Sequence, residues 1–206
     1  MEKIDFKKKF RDLYHASAQK VQLVNVPALQ FLMIDGKGDP NQSVDFQDGV
    51  ETLFSISYTL KFKIVKKRLG IDYGVMPLEG LWWSDTPENF DLENKSSWLW
   101  TIMIMQPDFI TSEMMTEALD IVAKSKKLQG LQKVRFETFH EGTAVQLLHV
   151  GPFSEEGPTV QRLHRFAQEN GYQLRGKHHE IYLSDYRKTV PERLKTIIRQ
   201  PIQPQK

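Results

Sequence analysis

A glutamate stands in the middle of a stretch that otherwise favours a β-strand, "HHEIYLSD", His178 to Asp185. Strand side chains alternate between faces, so His178, Glu180, Tyr182 and Ser184 share one face, while His179, Ile181 and Leu183 take the other. With the Ile/Leu face packed on helices, the Glu/Tyr face points away from them. A carboxylate beside a phenol and an imidazole can accept a proton from water, and aromatic neighbours can stack on a flat apolar ligand. An anion among aromatics selects cationic or polarised ligands. Alternation alone leaves a second reading, in which Glu180 is a solvated residue on an exposed sheet face.

The stretch "GLWWSD", Gly80 to Asp85, stands one hundred positions earlier. Setting Ser84-Asp85 on Ser184-Asp185 pairs Gly80 with Glu180, Leu81 with Ile181 and Trp82 with Tyr182. "ALQFLMIDG" from Ala28 likewise matches "AVQLLHVGP" from Ala144, 116 positions apart. The two matches keep their order, which suggests an internal duplication with an insertion in the first copy. Two halves joined about a pseudo-twofold axis would set Trp82 opposite Tyr182 across a cleft. Gly80 opposite Glu180 would leave room for a ligand, and the acid would lie at depth between aromatic walls.

The elements that would hold this cleft follow from patterning. Phe6, Phe10, Leu13 and Tyr14 predict an amphipathic N-terminal helix over about 4–15. Val21 to Ile34 predicts a strand pair, or one strand bent near Pro27. A helix is expected from Phe46 to Lys63, capped by Asp45, then strands at Tyr73–Met76 and Gly80–Ser84. Thr86 to Ser97 reads as a polar surface loop and Trp98 to Gln106 as a buried strand. On that strand Trp98 and Trp100 share one face, and Thr101, Met103 and Met105 the other. Either face can line the cleft, so Trp100 and Met103 are both candidates for ligand binding. Thr111 or Ser112 caps another helix. Val134–His140 and Thr143–Val150 predict a hairpin about Glu141-Gly142. Pro158 opens a helix that Gly171 ends. Gln173–Arg175 and His178–Ser184 read as a second hairpin, and Pro191 starts a last short element.

The predicted architecture is therefore α+β, with tandem βαββ repeats related by a pseudo-twofold axis and a central ligand cleft. The whole chain, 1–206, forms one domain, with repeat one over about 20–110 and repeat two over about 111–200.

Composition narrows the function classes. The chain has 206 residues, 40% hydrophobic, with a net charge of +2 and no cysteine. Near-balanced charge gives no nucleic-acid footprint. The absence of cysteine excludes disulfides and thiol catalysis. No apolar run approaches the ~20 residues of a membrane span, and no signal peptide is visible, so a soluble cytoplasmic protein is expected. "GKGDPN" lacks the Lys-Ser/Thr ending of a phosphate loop. One histidine with one glutamate is too few ligands for a metal. His178 is more simply a structural or outer-layer residue of the site, and His149 a satisfied core or rim histidine.

The motifs "NVPALQFLMIDGKGDPN", "YGVMPLEGLWWSD", "KHHEIYLSDYR" and "LKTIIRQP" resemble the GyrI-like small-molecule-binding proteins, in their stand-alone form. The resemblance spans nearly the whole chain. It implies the tandem βαββ fold and, by motif, places Glu180 at the base of an aromatic cleft. Some stand-alone members are hydrolases that open the cyclopropane ring of DNA-alkylating natural products. Their functional residues match Glu180, Trp82, Tyr182 and Tyr73 here. Glu180 and Tyr73 are thus the expected catalytic residues, and Trp82, Tyr182, Trp100, Met103 and His178 the ligand-binding ones. The implied ligands are hydrophobic aromatic or cationic small molecules, with no cofactor, metal, nucleic acid or membrane. A passive drug-binding module, or an interaction module for a protein partner, remains an alternative.

Overall fold

The computed structural model describes residues 3–85 and 95–205. The polar stretch Thr86–Asn94 lies outside the described residues. Six antiparallel strands make a closed, barrel-like sheet: β2 (Gln22–Lys37), β5 (Leu99–Gln106), β4 (Leu78–Trp83), β8 (His178–Tyr182), β9 (Lys195–Pro204) and β6 (Arg135–Val150), with β6 also pairing β2. The short β7 (Tyr172–Leu174) adds to β9, and β1 (Lys3–Ile4) pairs in parallel with β3 (Asp72–Tyr73).

One face of this sheet is turned inward. Phe31, Met33, Leu81, Met103, Met105, Ile181 and Ile197 are almost completely buried there. The other face carries the helices. Gly49 of α3 (Val44–Thr59) lies against Ile34 and Ile102. Leu163 and Ala167 of α6 (Gly157–Glu169) pack with Val145, Leu147 and Ile198. α5 (Ser112–Ser125) packs on α3.

Several expectations are corrected here. The N-terminal helix is broken at Phe10 into α1 (Phe6–Lys9) and α2 (Arg11–Tyr14). Ser43, not Asp45, caps α3, its hydroxyl accepting from the Phe46 amide; Asp45 instead pairs with Lys133. That helix runs on through a π-helical stretch, Leu60–Val65, into α4 (Lys66–Arg68). Glu141-Gly142 is not a hairpin turn, because β6 is one sixteen-residue strand. Gly142 sits in the left-handed region at φ 74° and bends the strand opposite Val26, next to Pro27, which has no amide to donate. β2 likewise runs unbroken past Pro27. β7 and β8 do not pair with each other. Both pair with β9, the strand that closes the barrel.

Candidate functional site

Glu180 is placed by its strand neighbours. In the β4–β8 ladder Gly80 stands directly across from it, Leu81 across from His179 and Trp82 across from His178. Glu180 is 9% exposed. Tyr182 donates its hydroxyl to Glu180 Oε2 at 2.7 Å, and His178 Nε2 lies 3.1 Å from Oε1. Residues two apart on a strand share a face, so the sequence itself dictates this His-Glu-Tyr row.

The facing of the row is the reverse of that expected. Gly80, Trp82, Trp100 and Ile102 lie on the Glu180 face, by strand register. Phe46 of α3 stacks on Trp82 at 5.9 Å and meets Trp100 edge-on at 5.2 Å. The acid is therefore on the helix-bearing face, and Ile181 points into the barrel. Leu and Ile mark burial, but in a closed sheet both faces are buried, so hydrophobicity does not tell them apart.

Gly80 and Gly36 make room for indoles. A Cβ on Gly80 would lie 2.8 Å from Trp82 Nε1, so the ring folds back along its own strand over the glycine. A Cβ on Gly36 would lie 2.1 Å from the Trp100 ring. The space opposite Glu180 is thus filled by Trp82, not left open. Trp82 also packs on Trp98 at 5.5 Å, and Phe153 meets the Tyr182 ring edge-on at 5.7 Å. The result is an acid floored by the sheet and enclosed by aromatic rings.

Two expected site residues stand elsewhere. Met103 is on the opposite face from Glu180, inside the barrel, because the β4–β5 register pairs it with Glu79. Tyr73 belongs to the small β1–β3 sheet and packs edge-on against Phe6 and Phe109. Its buried hydroxyl has no hydrogen-bond partner among the described residues, and burial pushes its pKa up. The structure does not bring it into contact with the Glu180 row.

Sequence reasoning missed a second acid. Glu156, in the turn "GPFSEEGP", caps the start of α6 and is 7% exposed. Its side chain is in hydrogen-bond contact with Glu180. Burial, and then the Glu180 charge, push its pKa up to about 10, against the weaker pulls of Thr196 and Lys95. Burial also acts to raise the Glu180 pKa. His178, Tyr182 and Glu156, all hydrogen-bonded to that carboxylate, outweigh it and hold the pKa below the usual range. Burial and the same carboxylate hold the Tyr182 hydroxyl well above its ordinary pKa. At neutral pH the row therefore contains an ionised Glu180, a neutral Glu156 and a protonated Tyr182. Two glutamates separated by twenty-four residues leave no local spacing signal. A buried carboxyl just before a helix that opens with Gly157-Pro158 was the available clue.

On the inward face lies a different polar cluster. His179 bridges Glu79 and Glu141 at 2.9 Å each, Tyr14 donates to Glu79, and Arg199 donates to Glu141, Gln146 and the Leu13 carbonyl. Strict alternation would put Glu141 and Gln146 on opposite faces. Both reach Arg199 because Gly142 breaks the alternation. A hollow of about 190 Å³ opens beside this cluster, lined by Leu81, Phe139, His140, Arg175 and Lys177 among others. It contains none of the Glu180 row. His149 is satisfied by Thr159 and the Pro152 carbonyl. Among the described residues no group of three or more His, Asp or Glu side chains is placed to hold a metal, and no helix is long and apolar enough to cross a membrane.

The GyrI-like small molecule binding domain model matches residues 19–203. The chain belongs to the GyrI-like family. This GyrI-like chain also resembles solved structures from Listeria innocua over 98% of its length and 100% of theirs. One, described as an uncharacterized conserved protein, is 43% identical with a TM-score of 0.89. Another, described as a hydrolase, is 42% identical with a TM-score of 0.87. The C-terminal domain of EcmrR shares the fold at 15% identity and a TM-score of 0.54, covering 90% of this chain and 98% of that one. No curated protein is significantly similar to the chain.

Proposed function

We propose that this GyrI-like domain is a cofactor-independent hydrolase of strained, electrophilic small molecules, with cyclopropane-bearing genotoxic compounds as the substrate class. The observation that carries the reading is the Glu180 carboxylate, ionised and buried among aromatic rings, with His178 and Tyr182 fixing both its oxygens. Such a carboxylate is poorly solvated, and it is oriented to take a proton from a water molecule. Trp82 would stack on the flat body of the ligand, with Phe46 packed against it from the helix side. The likeness to a Listeria innocua hydrolase at 42% identity supports turnover over passive binding.

The cleft in this reading lies between two equivalent halves. With the short β3 and β7 set aside, the order strand, helix, strand, strand occurs twice, as β2-α3-β4-β5 and as β6-α6-β8-β9. The β4–β8 ladder pairs Gly80 with Glu180, the same two residues that sequence matching equates, and a twofold axis through that pair would give this register.

Purified protein incubated with a cyclopropane-bearing alkylating agent, followed by mass spectrometry, tests the reading. A substrate-plus-water product that accumulates beyond one equivalent per protein is the expected result. Saturable binding without any water adduct would replace it with passive sequestration by the same pocket.

A further inference from the structure

Two buried carboxyl groups in hydrogen-bond contact cannot both be ionised without a cation between them. Glu156 and Glu180 are such a pair. Glu156 comes from the helix side, at the head of α6, and Glu180 from the sheet floor. Glu180 accepts from Tyr182 on one oxygen and contacts His178 with the other, which leaves lone pairs for one further donor. Oε1 of Glu156 is buried and receives no hydrogen bond among the described residues. A carboxylate there would be unsolvated, whereas a carboxylic acid donates to Glu180 and is satisfied. The groups packed around Glu156 do not change this. Thr196 on β9 hydrogen-bonds Glu156 and, with Lys95, favours the carboxylate, but burial and the Glu180 charge on β8 outweigh both. Across the pair, burial and then His178 lower the pKa of His164 on α6, which favours its neutral form.

We propose that Glu156 is the acid partner of Glu180: the two carboxyls hold one proton, on Glu156, and that proton completes the ring-opening step. The proposal rests on the hydrolase reading above. As the water oxygen bonds to a ring carbon, Glu180 takes one water proton. The ring carbon–carbon bond breaks, its electron pair passes into the substrate framework, and Glu156 protonates the framework. The proton now on Glu180 crosses the hydrogen bond to Glu156. One water is consumed, nothing is oxidised or reduced, and the pair returns to its starting state. A single carboxylate would have to take the water proton and deliver it to the framework in turn; the pair holds acceptor and donor ready at once.

Infrared spectroscopy of the protein without ligand, combined with turnover, tests this. At about pH 8, well above the ordinary glutamate range, the wild type should show a protonated-carboxyl C=O stretch. Glu156→Gln should lack it while keeping the fold, because Gln still donates to Glu180. The same variant should lose roughly 10²-fold or more in kcat with little change in KM, and Glu156→Asp should recover part of the loss. Absence of the band in wild type, or its persistence in Glu156→Gln, overturns the shared proton. Near wild-type turnover by Glu156→Gln overturns its catalytic use. If the wild type itself shows no turnover, the hydrolase reading fails, and the infrared result still decides whether the pair holds one proton.

Discussion

At the scale of single residues, the decisive feature is that one strand places His178, Glu180 and Tyr182 in a row and a helix start adds Glu156 from above. The two acids experience the same burial and reach opposite protonation states. Glu180 is hydrogen-bonded on both oxygens; Glu156 lies beside that negative charge, which with burial outweighs the help it receives from Thr196. On the hydrolase reading, Glu180→Gln should fold normally and lose about 10²–10⁴ in kcat, since the amide is a very poor proton acceptor. That corresponds to about 3–5 kcal/mol of transition-state stabilisation. Trp82→Ala removes stacking common to ground and transition states, so its effect should appear chiefly in KM. Initial rates of the two variants on one cyclopropane-bearing substrate separate these roles. Near wild-type kcat for Glu180→Gln would remove the acid as base.

At the scale of elements, the site depends on two glycines that let indoles lie flat on the sheet. Neither needs a left-handed backbone, so the constraint at each is packing alone. Gly36→Ala would drive a methyl into the Trp100 ring, at 2.1 Å, and Gly80→Ala would crowd Trp82 Nε1 at 2.8 Å. Overpacking a buried site costs about 1–3 kcal/mol. Gly36→Ala should fall at the upper end, because Trp100 is 1% exposed and pinned by Phe46. Gly80→Ala should cost less stability but tilt Trp82 away from Tyr182. Chemical denaturation gives the first comparison and near-ultraviolet circular dichroism the second. Equal stability loss with unchanged aromatic signals would contradict the packing argument.

At the scale of the whole molecule, the inward cluster ties the N-terminal segment to four strands. Burial alone would lower the His179 pKa, but Glu141 and Glu79 outweigh it and raise it from 6.5 to about 9. Burial alone would raise the Glu141 pKa, but His179 and Arg199 lower it from 4.5 to about 2. The His179 contribution is therefore full below its unfolded pKa of 6.5 and lost as pH rises through about 9. The Glu141 contribution is full above 4.5 and lost as pH falls through about 2. Glu156, with its pKa raised from 4.5 to about 10, takes up a proton on folding and lowers stability progressively across that window. Melting temperature should thus be highest at about pH 4.5–5 and decline on the alkaline side. Glu156→Gln should flatten the alkaline decline and raise the melting temperature at about pH 8. Glu141→Ala leaves Arg199 and His179 buried with unpaired charge and should cost about 3–5 kcal/mol, with each kcal/mol lowering the melting temperature by about 2–4 °C. A pH-independent melting temperature in Glu141→Ala and wild type alike would show that the cluster is not charged.

The sequence by itself determined the family, through motifs that span the chain, and it determined the His178-Glu180-Tyr182 row, because strand alternation is local and needs no partner. It also marked the matched glycine and acid, Gly80 and Glu180, which the structure sets across from each other in one ladder. Tertiary structure decided which way the row faces. A closed sheet buries both sides, so Ile181 and Leu183 marked burial without telling barrel interior from helix layer. It decided that Trp100 joins the site while Met103 and Tyr73 stand apart from it, since register and sheet membership are set by distant strands. It decided that Glu141-Gly142 bends one strand instead of ending it, because the bend is held by a histidine and an arginine from β8 and β9. And it brought Glu156 to Glu180, because a carboxyl's protonation depends on which charges lie within a few ångströms, a quantity that exists only once the chain has folded.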